Sequence, residues 1–257
     1  MSTQEITSQE IGSSPGQPDS IVDAPLLAAF THQVINPLNG VVGTIDNLID
    51  GTITGARREQ RLIAVRAQLT HAIELVRNLA YLSQLSTEPG RQSLRETGGR
   101  CVIPQVVIEA AQYFQELAAD KKMEIHLEDR ITQYRVAGPR ALLRQVFTNL
   151  FENAVKYGRS DTIIRVVPRI QKSSGVLIID VINKGPGFDS AERARIFDRG
   201  YRGANAKNIA ASGSGLGLYI SRQILEVAFG ATIEAEHSTL RAETTFRLRF
   251  PNSTVER

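Results

Sequence analysis

The sequence has one cysteine, Cys101, and four histidines, no two of which share a metal-ligand spacing such as HxxxH. One cysteine cannot form an internal disulfide, and neither a cysteine cluster nor a histidine pair is there to hold a structural zinc ion. A chain without disulfides fits a reducing compartment, so we expect a cytoplasmic location.

Charge of one sign and long apolar runs are lacking too. The net charge is only +3, with acidic and basic residues interspersed. This bias is too weak to indicate nucleic acid or a membrane surface as a partner. No stretch reaches the apolar length of a membrane span, and the first twenty residues lack the basic start and apolar core of a secretory signal. We therefore expect no membrane segment in this chain.

Composition divides the 257 residues into four parts. Residues 1–22 are rich in Ser, Gln, Gly and Pro and are predicted to be a disordered tail. Residues 23–85 read as two helices joined by a short turn, and residues 86–100 form a polar linker with Gly and Pro. Residues 101–257 alternate helix and strand patterns.

The helical part carries the clearest periodicity. Its apolar residues recur at steps of three and four, which is a heptad seam. The seam residues are Leu27, Phe30, Val34, Leu38, Val41, Ile45 and Leu48, then Leu62, Val65, Leu69, Ala72, Val76 and Leu79. Asp23 can cap the first helix, and the short turn at 50–55 makes the helices antiparallel neighbours.

One hairpin of two helices leaves apolar surface exposed. Two copies would cover that surface as a four-helix bundle, so we predict a homodimer through residues 23–85. The alternative is that the hairpin folds back onto the C-terminal half.

The C-terminal half predicts an α+β sandwich with an antiparallel or mixed sheet and helices on one face. The predicted helices are 104–121, 139–157 and 216–229. The predicted strands are 124–127, 162–168, 176–182, 232–236 and 244–250, with "KSSG" marking a hairpin turn.

His32 interrupts the apolar pattern of the first helix. It lies about 200° from Phe30 and Val34 and should point to solvent when the seam is buried. Pro37 lacks an N–H and should kink the helix, freeing the carbonyl of Gln33 beside the histidine. From this stretch alone, an incidental surface histidine beside a tolerated proline is the simpler interpretation.

Four further motifs change that interpretation: "NLFENAVKY" (149–157), "NKGPGF" (183–188), "RIFDRGYRG" (195–203) and "GSGLGLYISRQIL" (213–225). Each has a structural explanation when taken alone, since asparagines cap, GPG makes turns and a lone GxGxG is weak evidence. Their order, downstream of a heptad hairpin with "HxxxNP", is specific.

In that order the chain resembles the sensor histidine kinases of two-component systems over about residues 23–251. The first part is similar to their dimerisation and histidine-phosphotransfer hairpin. The second is similar to the Bergerat-type ATP-binding domain shared with gyrase, Hsp90 and MutL. The resemblance implies an ATP-dependent kinase that phosphorylates its own histidine and passes the phosphoryl group to an aspartate of a response regulator.

On the hairpin, the resemblance makes His32 the phosphoacceptor. The family usually has an acidic residue next, but this chain has Gln33, whose carbonyl can accept a hydrogen bond and cannot take up a proton. That departure predicts slow autophosphorylation. Asn36 matches the position that orients water for dephosphorylation of the partner, which implies a phosphatase activity as well.

In the second part, the resemblance implies that Asn153 binds Mg²⁺ through its side-chain oxygen. Asn183 replaces the usual aspartate at the adenine amino group, which predicts weaker binding. The other expected ATP-binding residues are Asn149, Lys156, Tyr157, Gly185, Gly187, Gly213, Gly215, Leu216 and Gly217. The last glycines open a helix whose free N–H groups suit phosphate, and Tyr157 has an equal claim to be a core aromatic.

Residues 199–212 match the ATP lid. Phe197 and Tyr201 are expected to pack the lid, while Arg202 and Lys207 are either phosphate contacts or solvated cations.

Two other functions compete with an active histidine kinase. One is a phosphotransfer protein or pseudokinase with a weakened ATP site, favoured by Gln33 and Asn183. The other is a serine kinase or conformational ATPase of the same nucleotide fold, which would lack a phosphoacceptor hairpin.

Overall fold

The computed structural model describes residues 24–209 and 213–256. The disordered tail predicted for residues 1–22 and the cap predicted at Asp23 lie outside the described residues. So do residues 210–212 of the predicted lid.

The described part contains seven helices and eight strands. The helices are α1 (Ala24–Ile49), α2 (Ala56–Leu85), α3 (Glu88–Glu96), α4 (Ile103–Asp120), α5 (Arg140–Tyr157), α6 (Ala204–Ile209) and α7 (Gly217–Phe229). The strands are β1 (Arg100–Val102), β2 (Glu124–Leu127), β3 (Arg135–Ala137), β4 (Ile163–Ile170), β5 (Leu177–Lys184), β6 (Thr232–Ser238), β7 (Glu243–Phe250) and β8 (Val255–Glu256). Every element predicted after residue 101 is present within two residues of its expected bounds.

Helices α1 and α2 form the predicted hairpin, and two residues of each heptad seam are buried. In α2, Val65 and Ala72 are buried, and α2 packs against α1. The alternate seam positions, Leu62, Leu69 and Val76, are one heptad apart and 38–54% exposed. The seam therefore has an inner set of positions that closes the hairpin and an outer set that stays on the surface.

Helix α1 shows the same division. Phe30 and Val41 are buried, whereas Leu27, Leu38 and Ile45 are exposed. The helix continues through Pro37 without ending there. A proline in a helix interior leaves the carbonyl four residues earlier without its N–H partner.

The C-terminal end of α2 also packs against the second half of the chain. Leu75, Leu82 and Leu85 are buried in the main core, and α2 contacts both α3 and α7. The hairpin thus exposes an apolar face and at the same time contacts the C-terminal half. The sequence had left that contact as an alternative.

The segment predicted as a linker contains helix α3. Thr87 caps it by accepting a hydrogen bond from the N–H of Gly90 at 3.2 Å, and Pro89 lies in its first turn. Leu94 is buried, and α3 contacts α7. Pro and Gly suggested a loop, but a proline in the first helical turn costs no backbone hydrogen bond.

The main sheet has the strand order β2-β4-β5-β7-β6. Strands β2 and β4 are parallel and the other pairs are antiparallel, so the sheet is mixed, which confirms the predicted α+β class. Helices α4, α5 and α7 share one apolar core with it. A small sheet of order β1-β3-β8 was not predicted, because its strands are only two or three residues long.

The sheet carries one buried ion cluster. The side chain of Asp180 is 7% exposed and accepts hydrogen bonds from Arg247 (Nε 2.7 Å, Nη2 3.0 Å) and Arg169 (Nη1 2.7 Å). Burial alone would raise the pKa of Asp180, but the hydrogen bonds from Arg247 and Arg169 hold it below its usual value. The cluster joins β5 to both neighbouring strands.

Candidate functional site

One cleft collects most of the predicted nucleotide-binding residues. It lies between α5, the start of α7, strand β5 and residues 186–209. The predicted residues that line it are Asn149, Asn153, Lys156, Tyr157, Asn183, Gly187, Gly213, Gly215 and Gly217.

Two predicted residues do not line the cleft. Leu216 is 2% exposed and belongs to the core. Gly185 is buried behind Tyr157, and a Cβ there would lie 2.6 Å from the carbonyl oxygen of Tyr157. Both residues therefore support the cleft from behind.

Asn149 fastens helix α5 to helix α7. Its Nδ2 donates to the carbonyl of Gly217 at 2.9 Å and to Oγ of Ser221 at 3.1 Å, while its Oδ1 accepts from Nε2 of Gln145 at 2.9 Å. Asn149 is 3% exposed. Its amide is thus engaged in holding the start of α7 in place, although the residue borders the cleft.

The C-terminus of α5 is held by Lys121, the residue that follows helix α4. Nζ of Lys121 donates to the carbonyl oxygens of Val155 (2.6 Å) and Lys156 (3.0 Å). Cations at a helix C-terminus offset the partial negative charge of its free carbonyls. This contact fixes the turn from which Lys156 and Tyr157 reach the cleft.

The glycine box (Gly213, Gly215 and Gly217) lies beside two cations at the start of α7. A Cβ on Gly213 would lie 3.1 Å from Nζ of Lys156 and 3.6 Å from Nε of Arg202. Helix α7 is 13 residues long and starts at Gly217, so its first N–H groups face the same space. Two cations beside a helix N-terminus suit a polyphosphate.

Gly215 has no room for a side chain. Its φ is +68°, and a Cβ would lie 2.6 Å from the carbonyl carbon of Gly200. The N–H of Gly200 donates to the carbonyl of Gly215 at 3.1 Å. The two ends of the lid segment (residues 199–212) are therefore drawn together at the glycine box.

The opposite end of the cleft is buried and polar. Asn183 on β5 and Thr244 on β7 face each other in the sheet register, and each is 5% exposed. Oγ1 of Thr244 is hydrogen-bonded to Nδ1 of His237 at 3.0 Å. Gly187 has a φ of +59° and packs on the His237 ring. This end can present hydrogen-bonding groups to a flat base.

Tyr157 also lines the cleft. Burial raises the pKa of the Tyr157 hydroxyl, and the nearby Arg202 guanidinium opposes that shift. Nζ of Lys156 lies 5.6 Å from the centre of the ring. The ring remains half-buried and borders the cleft, which favours the predicted ligand contact over a purely core role.

The lid segment is organised by a carboxylate that the sequence did not single out. Oε1 of Glu192 accepts from the N–H of Ala204 (2.8 Å) and from the hydroxyl of Tyr201 (3.3 Å). Nδ2 of Asn205 donates to the carbonyl of Gly187 at 3.1 Å, which places α6 over the turn at Gly187. Arg202 borders the cleft, whereas Lys207 is exposed and does not.

The predicted phosphoacceptor group lies elsewhere. His32, Gln33 and Asn36 are on α1; His32 and Asn36 are exposed, and Gln33 is half-buried. None of the three lines the cleft. The exposure predicted for His32 is confirmed, and this arrangement keeps it apart from the nucleotide residues.

The hairpin nevertheless reaches the cleft through residues that the sequence analysis missed. Leu75 and Asn78 of α2 line it together with the glycine box. Thr244 was missed as well. The heptad pattern placed Leu75 and Asn78 outside the seam, and a threonine in a β-strand carries no signal of its own.

The oxygen-bearing side chains of the cleft fit a magnesium ion only if a bound nucleotide supplies further ligands. Glu152 and Asn153 present a carboxylate and an amide to the cleft. Within residues 24–209 and 213–256 no group of three or more His, Cys, Asp or Glu side chains could hold a metal ion. Mg²⁺ bound to phosphates keeps several waters and takes one or two protein oxygens, which matches this pair.

Most residues that line the cleft lie in a segment that matches a known family. Residues 138–254 match the family described as histidine kinase-, DNA gyrase B-, and HSP90-like ATPase. That segment contains α5, the glycine box, the lid and the main sheet from β4 onward.

Curated relatives extend the likeness to the hairpin. Sensor histidine kinase AruS of Pseudomonas aeruginosa is 29% identical over 212 residues, which cover 82% of this chain and 21% of that protein. Sensor protein KdpD of Escherichia coli is 29% identical over 231 residues, which cover 90% of this chain and 24% of that protein. The chain thus spans about a fifth to a quarter of the length of these relatives.

Solved structures show the same fold. Acinetobacter baumannii histidine kinase AdeS matches with a TM-score of 0.61 at 20% identity, covering 87% of this chain and 98% of that one. Histidine kinase ThkA, solved in complex with the response regulator protein TrrA, matches with a TM-score of 0.58 at 16% identity, covering 89% of this chain and 61% of that one. The resemblance to sensor histidine kinases with an ATP-binding domain of this family is confirmed. No helix in the described ranges combines the length and apolarity that crossing a bilayer requires.

Proposed function

We propose that this chain, whose residues 138–254 form a histidine kinase-, DNA gyrase B-, and HSP90-like ATPase domain, is a protein histidine kinase. It uses ATP to phosphorylate His32 and transfers the phosphoryl group to an aspartate of a response regulator. The observation that carries the proposal is the pairing of an ATPase-family cleft with an exposed histidine on a separate helix of the same chain.

In the proposed reaction, Nε2 of His32 attacks the γ-phosphorus of ATP in line with the leaving group. An N–P bond forms, the bond from the γ-phosphorus to the bridging oxygen breaks, and ADP leaves. The side-chain oxygen of Gln33 can accept the Nδ1–H hydrogen bond and fix the tautomer, while the released proton goes to solvent. Lys156, Arg202 and the first N–H groups of α7 hold the phosphates.

Asn153 and Glu152 would hold Mg²⁺ together with the phosphate oxygens. The ion would neutralise charge that develops on the transferred group.

His32 must meet the cleft for this reaction, and it does not border the cleft in this arrangement. Phosphorylation therefore requires either a shift of the ATPase domain over the hairpin or a cleft supplied by a second protomer. The segment 86–100 lies at the point where such a shift would occur, with α3 moving as a unit.

We further propose that the protein is a homodimer through residues 23–85. The exposed outer seam supports this, because Leu62, Leu69 and Val76 recur at heptad steps on α2 and Leu38 and Ile45 are exposed on α1. A soluble protein rarely leaves such a face uncovered, and a second hairpin covers it as a four-helix bundle.

The proposed partner is the receiver domain of a response regulator. The fold shared with ThkA, which was solved in complex with a response regulator protein, supports this assignment. Exposed Asn36 lies one turn from His32 and would orient water for dephosphorylation of the regulator.

A phosphotransfer protein or pseudokinase is the second candidate. Gln33 in place of an acidic residue and Asn183 in place of an aspartate favour it, because each removes a charge used by the family. The complete glycine box and its two cations favour an active enzyme.

Labelling with γ-³²P-ATP and magnesium tests the proposal. The wild type should acquire a label that is labile in acid and stable in alkali, as a phosphohistidine is. His32→Ala should acquire none, while His126→Ala, which removes another exposed histidine on β2, should label normally. Label that survives acid and is lost in alkali would favour the serine kinase, and unlabelled protein that still binds ATP would favour the pseudokinase.

A further inference from the structure

Helix α2 of the hairpin forms part of the wall of the nucleotide cleft. Leu75 is 2% exposed and Asn78 is 8% exposed, and both border the cleft opposite residues of the ATPase domain. Contacts of α2 with α3 and α7 hold it there. The cleft is therefore completed by an element outside the ATPase-family match, which begins at residue 138.

Asn78 is the polar exception in an apolar stripe. Positions 75, 78, 82 and 85 follow one another at steps of three and four along α2, and the other three are buried leucines. Within the described residues, the buried Oδ1 of Asn78 has no hydrogen-bond partner. An unpaired buried acceptor is costly, and leucine at this position would remove that cost.

The chemistry of Oδ1 limits what can pair with it in a bound nucleotide. Oδ1 is an acceptor and needs a donor. The triphosphate of ATP offers only acceptors at neutral pH, which leaves the adenine amino group and the two ribose hydroxyls. The resemblance to histidine kinases assigns the amino group to Asn183, which lies at the buried end of the cleft.

We infer that Asn78 accepts a hydrogen bond from a ribose hydroxyl of the bound adenine nucleotide. The hairpin helix then contributes a specificity-determining residue to the nucleotide site. The inference rests on the proposed function, since it requires an adenine nucleotide in this cleft. By linkage, ATP binding stabilises the packing of α2 on the ATPase domain.

The test uses the full chain with Asn78→Leu, a substitution that keeps the branched side-chain skeleton and removes the amide. Calorimetry with magnesium-ATP should show a dissociation constant raised about threefold to tenfold, the range of one neutral hydrogen bond. Urea unfolding without nucleotide should show equal or greater stability, because an unpaired amide has been removed. Arg77→Ala, which changes the exposed neighbour, should leave both quantities unchanged.

Deoxynucleotides identify the contact. Wild type should bind either 2′-deoxy-ATP or 3′-deoxy-ATP more weakly than ATP, and Asn78→Leu should not distinguish that analogue from ATP. A variant that binds ATP as tightly as wild type, or that keeps the full deoxy penalty, overturns the inference. A variant that loses stability and affinity together, with the penalty intact, assigns Asn78 a packing role and also overturns it. Wild type that binds no ATP overturns the proposed function itself.

Discussion

Asn149 and Asn153 lie one turn apart on α5, yet their substitution by alanine should have different effects. Asn149→Ala should lower stability, and Asn153→Ala should abolish phosphorylation. Asn149→Ala removes three hydrogen bonds, with Gln145, Gly217 and Ser221. The carbonyl of Gly217 keeps a bond from Oγ of Ser221 at 2.8 Å. The amide of Gln145, 4% exposed, is left buried without this acceptor.

The magnitude follows from these contacts. A buried amide without its partner costs about 1–3 kcal/mol, and each further neutral hydrogen bond contributes about 0.5–1.5 kcal/mol. We expect Asn149→Ala to lower the free energy of unfolding by about 2–4 kcal/mol. Asn153 borders the cleft and is half-buried, so Asn153→Ala should change stability by less than about 0.5 kcal/mol and abolish phosphorylation.

Urea unfolding followed by circular dichroism measures the first quantity, and γ-³²P-ATP labelling measures the second. The double variant Gln145→Leu with Asn149→Leu is an informative control, because replacing both partners by apolar groups leaves no orphaned amide. It should recover at least half of the stability lost in Asn149→Ala. The reasoning is refuted if Asn149→Ala is as stable as wild type, or if Asn153→Ala labels normally.

Three other outcomes are expected. Gly215→Ala should weaken ATP binding in calorimetry more than tenfold, since a Cβ collides with Gly200 at a φ of +68°; near-normal binding would contradict this. Asp180→Asn should lower the free energy of unfolding at pH 7 by about 1–3 kcal/mol. Because the pKa of Asp180 is lowered in the fold, wild type keeps this stabilisation above about pH 4 and loses it as pH falls through the folded pKa, so the stability gap should close in acid. Gln33→Glu should speed autophosphorylation in labelling time courses, and an unchanged rate would mean that the proton acceptor is not limiting.

The parts of the fold that follow periodic rules were predictable from sequence. Each long helix and each strand of the main sheet repeats an apolar pattern over several residues. The short strands β1, β3 and β8 carry too few residues for a pattern. Helix α3 was concealed because Pro89 and Gly90 resemble a turn, and only Thr87 signals its start.

The site was predictable where motifs reach it in one stretch. Asn153, Lys156 and the glycine box lie in such stretches, and all of them border the cleft. Asn78 and Thr244 come from distant elements and reach the cleft only through tertiary packing. Sequence reasoning also could not foresee that the side-chain amide of Asn149 is hydrogen-bonded to α7, because that contact joins residues 68 positions apart.

The contact at the base of the lid segment means that a change in the length of the lid and a change at its base have different effects. Gly200 and Gly215 touch at the base, so the chain between them is a closed loop whose ends do not depend on what lies inside. Doubling such a loop costs only about 0.6 kcal/mol in closure entropy. Insertions between the two glycines should therefore cost little free energy of folding, whereas a single methyl group added at the base should not be tolerated.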